Sequence, residues 1–196
     1  IIIDYYDLMQ DKHIPTHGPG HWHDPDMIVA GNPGVTLDQA KAQFAIWSIW
    51  SAPLIMSNDL RTIAPEFKEV LLNKRVIAVD QDPLGVMGRL TVNTTYIAIY
   101  VKKMTPYQLN TYSYAIASLN RNNATSMSVN FLLKDLGLTS ASGYQIQDLW
   151  SGQIMVPFLR AFNVNFQGNF LPTDRYSTSV NATGVDLIKA TPLDLL

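Results

Sequence analysis

The chain has 196 residues, 47% of them hydrophobic, enough to bury a core in one large domain or two small ones. Its 14 basic and 16 acidic side chains are spread without long runs and leave a formal charge of -2, so there is no electrostatic footprint for nucleic acid or an anionic membrane, and small neutral ligands fit better. The absence of cysteine excludes disulfides, thiolate metal sites and cysteine nucleophiles together.

At the start, apolar residues 1–3 are followed at once by Asp4 and Asp7, with no basic segment ahead of them and no initiator Met. That is not the form of a secretory leader, and residue 1 is expected to be internal to a longer chain. A turn at 18–20 precedes His21-Trp-His-Asp-Pro-Asp-Met-Ile-Val29, in which 27–29 can be strand. Thr36-Leu37-Asp38-Gln39 has the spacing of a capping box, and Leu37, Ala40, Phe44, Ile46, Trp47, Ile49 and Trp50 form a wide apolar stripe, which predicts a buried helix over 37–51, ended by Pro53. Residues 53–57 then suit a buried parallel strand whose C-terminal end opens onto solvent at Asn58 and Asp59. Pro65-Glu66 marks a helix start, with Phe67, Val70 and Leu71 at helical spacing, and 76–79 reads as another short, strand-like apolar run. The first part is therefore α/β. Its longest apolar stretch is broken by Lys41, Gln43, Ser48, Ser51 and Pro53, short of the roughly 18 residues that a membrane span needs, so none is expected.

Charge balance changes near Gly88: residues 1–88 carry 6 basic and 11 acidic side chains, residues 89–196 carry 8 and 5. A domain boundary is expected there. Beyond it, β-rich runs at 91–101, 112–119, 127–133, 144–149, 176–181 and 185–189 are separated by Gly, Asn and Ser clusters, with a hairpin expected over 180–188. They predict an antiparallel sandwich. Three Asn-X-Ser/Thr triplets, at Asn93, Asn123 and Asn181, are candidate glycosylation sites.

Three constellations could carry chemistry. All four histidines, His13, His17, His21 and His23, fall in the first 23 residues beside Asp24 and Asp26, and His21 and His23 share a face if the segment is extended, as a metal-dependent hydrolase would use. Against this, His13 and His17 lie in a Pro/Gly-rich connection with no Cys and no helix-borne His pair, and no metal is expected. The second is Trp22, Asp24, Asp26 and Met27. Two carboxylates at i, i+2 beside a Trp suit a sugar pocket, with acceptors for hydroxyls and an apolar ring face, or else a loop in which Asp24 caps a turn before Pro25. The third is Ser57-Asn58-Asp59-Leu60-Arg61, where Asp59 is expected to pair with Arg61.

Gly18-Pro-Gly-His-Trp-His-Asp-Pro-Asp-Met27, Ser51-Ala-Pro-Leu-Ile-Met-Ser-Asn-Asp-Leu-Arg61 and Gln81-Asp-Pro-Leu-Gly85 resemble, in order and spacing, the signatures of the α-galactosidase and α-N-acetylgalactosaminidase family. The resemblance is dense over 1–88 and loose beyond, where Asp148-Leu-Trp-Ser-Gly152 is a modest echo. It implies a (β/α)8 barrel followed by an antiparallel β-sandwich, with this chain holding the last two barrel strands, 22–29 and 54–57, around helix 37–51. It implies Asp26 and Met27 as substrate-binding residues, Trp22 and Asp24 as supporting ones, no cofactor, a lysosomal or secreted enzyme and often a homodimer. The family is retaining, which needs two Asp carboxylates about 5 Å apart. Both lie on barrel strands upstream of the matched segment, so no catalytic residue is expected in 1–196. One departure is local: the family commonly has Asn where His23 stands, and an imidazole has a different reach from an amide.

These features imply the C-terminal portion of an exo-glycosidase acting on terminal α-linked galactose or N-acetylgalactosamine. The alternative is a non-catalytic carbohydrate-binding or interaction module built on the sandwich, for which Tyr107, Tyr112, Tyr114 and Tyr144 are available, although tyrosines alternating in strands also serve as core. With only two barrel strands, the apolar face of helix 37–51 is expected to lose its neighbours and form an exposed patch.

Overall fold

A computed structural model describes residues 2–108, 111–157 and 169–196. The helical part comes first. α1 (Ile2–His13) was not visible as a helix in the sequence, because it buries only Tyr6. Polar contacts to the later sheet hold it instead: Arg121 donates to Asp4 at 2.9 Å and to Asp7, Tyr100 donates to Asp7 at 3.0 Å, and the Gln10 side chain accepts from Leu90 N at 3.0 Å. Tyr6 stacks on Trp50 with ring centroids 4.5 Å apart.

α2 (Leu37–Ile49) has the expected capping box, with Thr36 accepting from Gln39 N and the Gln39 side chain accepting from Thr36 N. It stops two residues short of the expected end, before Ser51 turns into the left-handed region at φ 51°. α3 (Pro65–Leu71) starts on its proline. Residues 76–79 are helical, not strand-like: they belong to α4 (Lys74–Asp80), whose start is set by Asn73 accepting from Arg75 N and Val76 N. Val76 and Val79, three apart, supply its buried side.

Between α1 and α2, Ile28 makes a single parallel bridge to Met56, with Ile28 N donating to Ile55 O at 2.8 Å and Ser57 N to Ile28 O at 3.0 Å. The strand expected at 53–57 is not buried, since Ile55 and Met56 remain 50% and 45% exposed. A segment bonded on one side only, through one residue, leaves its side chains open to water.

From Arg89 the chain is antiparallel β: β1 (Arg89–Asn93), β2 (Ile97–Gln108), β3 (Thr111–Asn120), β4 (Met127–Leu132), β5 (Tyr144–Asp148), β6 (Ile154–Met155), β7 (Arg175–Val180) and β8 (Val185–Pro192). Six strands form one sheet in the order β1-β2-β3-β8-β5-β6, and β4 pairs with β7 in a second. The hairpin expected over 180–188 is therefore a crossing between sheets: β7 pairs with β4, whereas β8 pairs with β3 and β5. The tight turn through Thr183 (φ 57°) reverses the chain equally well into a different layer.

Two cores result. Ile99, Ile116, Val129, Phe131, Tyr144 and Ile188 are among the residues that fill the space between the sheets. On the other face of the large sheet, Ala98, Ala115, Ala117 and Leu187 present short side chains on which α2 packs. This corrects the expectation of an exposed helix face: Phe44, Ile46, Trp47, Ile49 and Trp50 are all at most 3% exposed. Close approach also explains Gly88, whose N–H donates to Ile49 O at 2.8 Å and where a Cβ would come within 2.8 Å of that same oxygen. An open groove of about 680 Å³ remains beside α2, lined by Ile3, Val29, Val35, Ala42, Trp47 and Leu119 among others.

The joint between helices and sheet contains a buried cation. Lys102, on β2, is fully buried and donates to Ser48 O at 3.1 Å, to Ser51 Oγ at 2.5 Å and to Val79 O. Ser48 and Val79 lie in the last turns of α2 and α4, so one ammonium meets the negative ends of two helix dipoles. The Asp148-Leu-Trp-Ser-Gly152 segment docks on the same layer, with Arg75 donating to Leu149 O and Trp150 O, and Asn73 donating to Leu149 O.

Candidate functional site

Asp24, Asp26 and Met27 come together on the segment that leads into the Ile28 bridge. Asp24 Oδ1 accepts from Asp26 N at 2.9 Å, the i, i+2 bond of an Asx turn, so Asp24 shapes the loop. Asp26 then sits at φ 80°, a conformation that costs a non-glycine residue about 1–3 kcal/mol and persists only where the surroundings enforce it. Its Oδ1 accepts from Met27 N at 2.7 Å. Among the described residues no hydrogen bond reaches its Oδ2, and the side chain is exposed. Met27 is 45% exposed beside it. Together they offer one free carboxylate oxygen and one apolar surface, the two requirements of a pocket for a polyhydroxylated ring.

Trp22 is not brought to this point. It is 41% exposed, meets His17 edge-on at 5.1 Å, and lines a cleft of about 340 Å³ whose other walls include Pro19, Pro53, Leu54, Asp80 and Asp82. Asp59 and Arg61 form the expected local pair, with Arg61 Nε and Nη2 donating at 2.8 and 2.7 Å, and these bonds hold the Asp59 carboxyl below its usual pKa. Both side chains are largely in water, where such a pair contributes little.

The histidines form a packed array. His23 Nε2 lies 3.0 Å from both His13 O and Thr16 Oγ1, and His23 N donates to His17 Nδ1 at 3.3 Å. The rings of His13 and His17 lie 4.5 and 5.6 Å from that of His23. Burial pushes His17 down to about 4, with the neighbouring His23 charge acting in the same direction. His23 thus faces the end of α1. Among the described residues no three His, Cys, Asp or Glu side chains converge in a way that could hold a metal ion, and no helix is long and apolar enough to cross a membrane.

On the sandwich, Tyr114 and Tyr144 are 9% and 1% exposed and belong to the core, while Tyr107 and Tyr112 stack on each other at 5.2 Å. Asn93, Asn123 and Asn181 are exposed and share one end of the sandwich. There the Asn120 amide donates to Thr125 O, Val180 O and Asn181 O, Arg121 N to Tyr96 O, and Thr183 N to Asn122 O. The Asn181 amide nitrogen additionally lies 3.4 Å from both oxygens of Asp38.

Sequence reasoning missed Lys102, Gln43 and the polar role of Trp47. Gln43 was legible only as an amide one turn after Gln39 on the α2 face that carries Trp47.

Helices packed against an antiparallel sandwich are an arrangement shared with known proteins. Residues 1–82 match the family described as Alpha galactosidase A, and residues 94–190 match the Alpha galactosidase C-terminal beta sandwich domain. The α-N-acetylgalactosaminidase of Gallus gallus is 33% identical over all of this chain and 44% of its own length. α-Galactosidase A of Homo sapiens is 40% identical over 120 residues, 61% of this chain and 27% of that protein. The crystal structure of α-galactosidase I from Mortierella vinacea superposes with a TM-score of 0.79 at 23% identity, covering 97% of this chain and 43% of that one. The chain belongs to the α-galactosidase and α-N-acetylgalactosaminidase family of glycoside hydrolases. It spans less than half the length of these relatives.

Proposed function

We propose that the chain is the C-terminal portion of a retaining exo-glycosidase that removes terminal α-linked galactose or N-acetylgalactosamine from glycoconjugates. Residues 1–88 are the closing part of a (β/α)8 barrel, with 22–29 and 54–57 as its last two strands, and residues 89–196 are the sandwich domain that braces it. Asp26 and Met27 form one wall of the sugar pocket: the carboxylate accepts a sugar hydroxyl, and the thioether lies against the C–H side of the ring. Asp24 supports that wall through the turn it makes with Asp26 N, whereas Trp22, expected beside it, lines a separate cleft. The nucleophile and the general acid/base come from the part of the enzyme that this chain does not span. The enzyme works in the secretory pathway, in a lysosome or outside the cell, as a homodimer, with Asn93, Asn123 and Asn181 as glycan acceptors.

The observation that carries this reading is Asp26 itself. A carboxylate held at φ 80° with one oxygen committed to the backbone and the other open is a feature that local stability does not require. The purified chain, given a chromogenic α-galactoside, is expected to bring about no hydrolysis. Turnover that persists through repurification overturns the assignment of catalysis to another segment.

A further inference from the structure

Seven consecutive main-chain polar groups, from Asp26 N to Val29 N, are all partnered, and three of the bonds come from α2. Asp26 N donates to Asp24 and Met27 N to Asp26, within the turn itself. Ile28 N and O pair with Ile55 and Ser57. The other three groups are served by two side chains one helical turn apart. Trp47 Nε1 donates to Asp26 O at 2.8 Å. The Gln43 amide donates to Met27 O at 3.0 Å and accepts from Val29 N at 2.9 Å, filling the place of a neighbouring strand. Residues i and i+4 of a helix face the same way, so both contacts are consequences of one helix face.

We infer that Trp47 and Gln43 are positioning residues for the sugar-binding carboxylate: they hold Asp26 in its left-handed conformation, with Oδ2 turned outward, from the face of α2. The inference rests on the reading of Asp26 as a sugar ligand. Trp47 is 3% exposed and packs on Trp50 at 5.5 Å, so its indole has no freedom to follow the loop if the loop moves. Gln43 fixes both sides of Met27, which limits the strand to one register. The Asp26 carbonyl has no other donor among the described residues. Without the indole N–H it would turn toward solvent, and the 26–27 peptide would turn with it, changing ψ of Asp26 and drawing Met27 N away from Asp26 Oδ1.

The test is kinetic, in the complete enzyme. Trp47→Phe keeps a ring and removes the donor. It is expected to raise KM for an α-galactoside by about tenfold, the effect of losing one well-placed hydrogen bond, with kcat changed much less. Asp26→Ala together with Trp47→Phe is expected to be no worse than Asp26→Ala alone, since an effect transmitted through Asp26 disappears with it. Multiplying effects, or a KM unchanged in Trp47→Phe while Asp26→Ala raises it, overturn the inference and leave the pocket standing. A KM unchanged by Asp26→Ala overturns the pocket and the inference with it. Gln43→Glu gives a second reading that is insensitive to packing. A protonated glutamic acid can donate to Met27 O and accept from Val29 N, whereas the ionised form repels that carbonyl. KM is therefore expected to recover as pH falls through the ordinary glutamic acid range in Gln43→Glu, and to stay raised at every pH in Gln43→Met. Identical pH profiles for the two variants contradict the positioning role.

Discussion

Replacing Lys102 by Met removes a fully buried ammonium between the helices and the large sheet, at almost constant side-chain length. Burial holds the Lys102 pKa at about 8 against an ordinary 10.5, in spite of the attraction of Asp80 and Asp82. Its charged form is thus penalised by about 3 kcal/mol relative to water, which methionine recovers. Against this, three hydrogen bonds from a charged donor are lost, each worth about 1.5–3 kcal/mol, and the last carbonyls of two helices lose their cation. The net is a destabilisation of about 2–5 kcal/mol, in the range measured when one member of a buried charged cluster is removed. For a chain of this size that lowers the melting temperature by on the order of 10 °C. Urea unfolding at pH 7, followed by circular dichroism, measures the difference. A Lys102→Met chain as stable as the parent would show that the bonds made by the ammonium only offset its burial.

Asp186 and Asp80 are each raised to about 6, chiefly by burial, from an ordinary carboxyl value of 3.8. A raised carboxyl contributes stability that is present below about 3.8 and lost as pH rises through about 6; His17, lowered to about 4, does the reverse, contributing above its ordinary 6.5 and losing that contribution as pH falls through about 4. Asp186→Asn can still accept from the Tyr176 hydroxyl, so it should gain on the parent between pH 4 and 6, by up to about 3 kcal/mol at pH 7. Parallel pH profiles of unfolding free energy would contradict this. Gly88→Ala should cost about 1–3 kcal/mol by forcing β1 and α2 apart, seen as a lower urea midpoint; an unchanged midpoint would mean that the backbone gives way there.

Much of the fold was legible in the sequence because the signals were local. The capping box at Thr36 and Gln39, Pro65 at a helix start, and β-branched runs between Gly and Asn clusters each act within a few residues, and the corresponding elements formed. What could not be read was set by distant partners. α1 has one buried residue and is held by Arg121. Four apolar residues at 76–79 fit a buried strand or a helix equally, and the decision came from Asn73. The turn at 181–184 does not reveal whether the next strand joins the same sheet. At the site, the spacing of Asp24 and Asp26 suggested a loop or a sugar pocket. The structure shows the loop reading, an Asx turn at Asp24 that leaves Asp26 exposed; the sugar pocket is the proposal built on that exposure. Trp22 was grouped with them by sequence proximity, but it turns toward another cleft. Lys102 gave no signal, since Lys102 and Lys103 are adjacent and only the alternation of the strand decides which one is buried.

The most direct test compares Asp26→Ala with Asp59→Ala in the complete enzyme. Asp26, with its open carboxylate oxygen, is expected to lose kcat/KM for an α-galactoside by about a hundredfold or more, the cost of leaving a sugar hydroxyl without its charged partner. Asp59, satisfied by Arg61 and exposed, is expected to stay within about threefold of the parent. Equal effects of the two substitutions would contradict the assignment of Asp26 to the sugar.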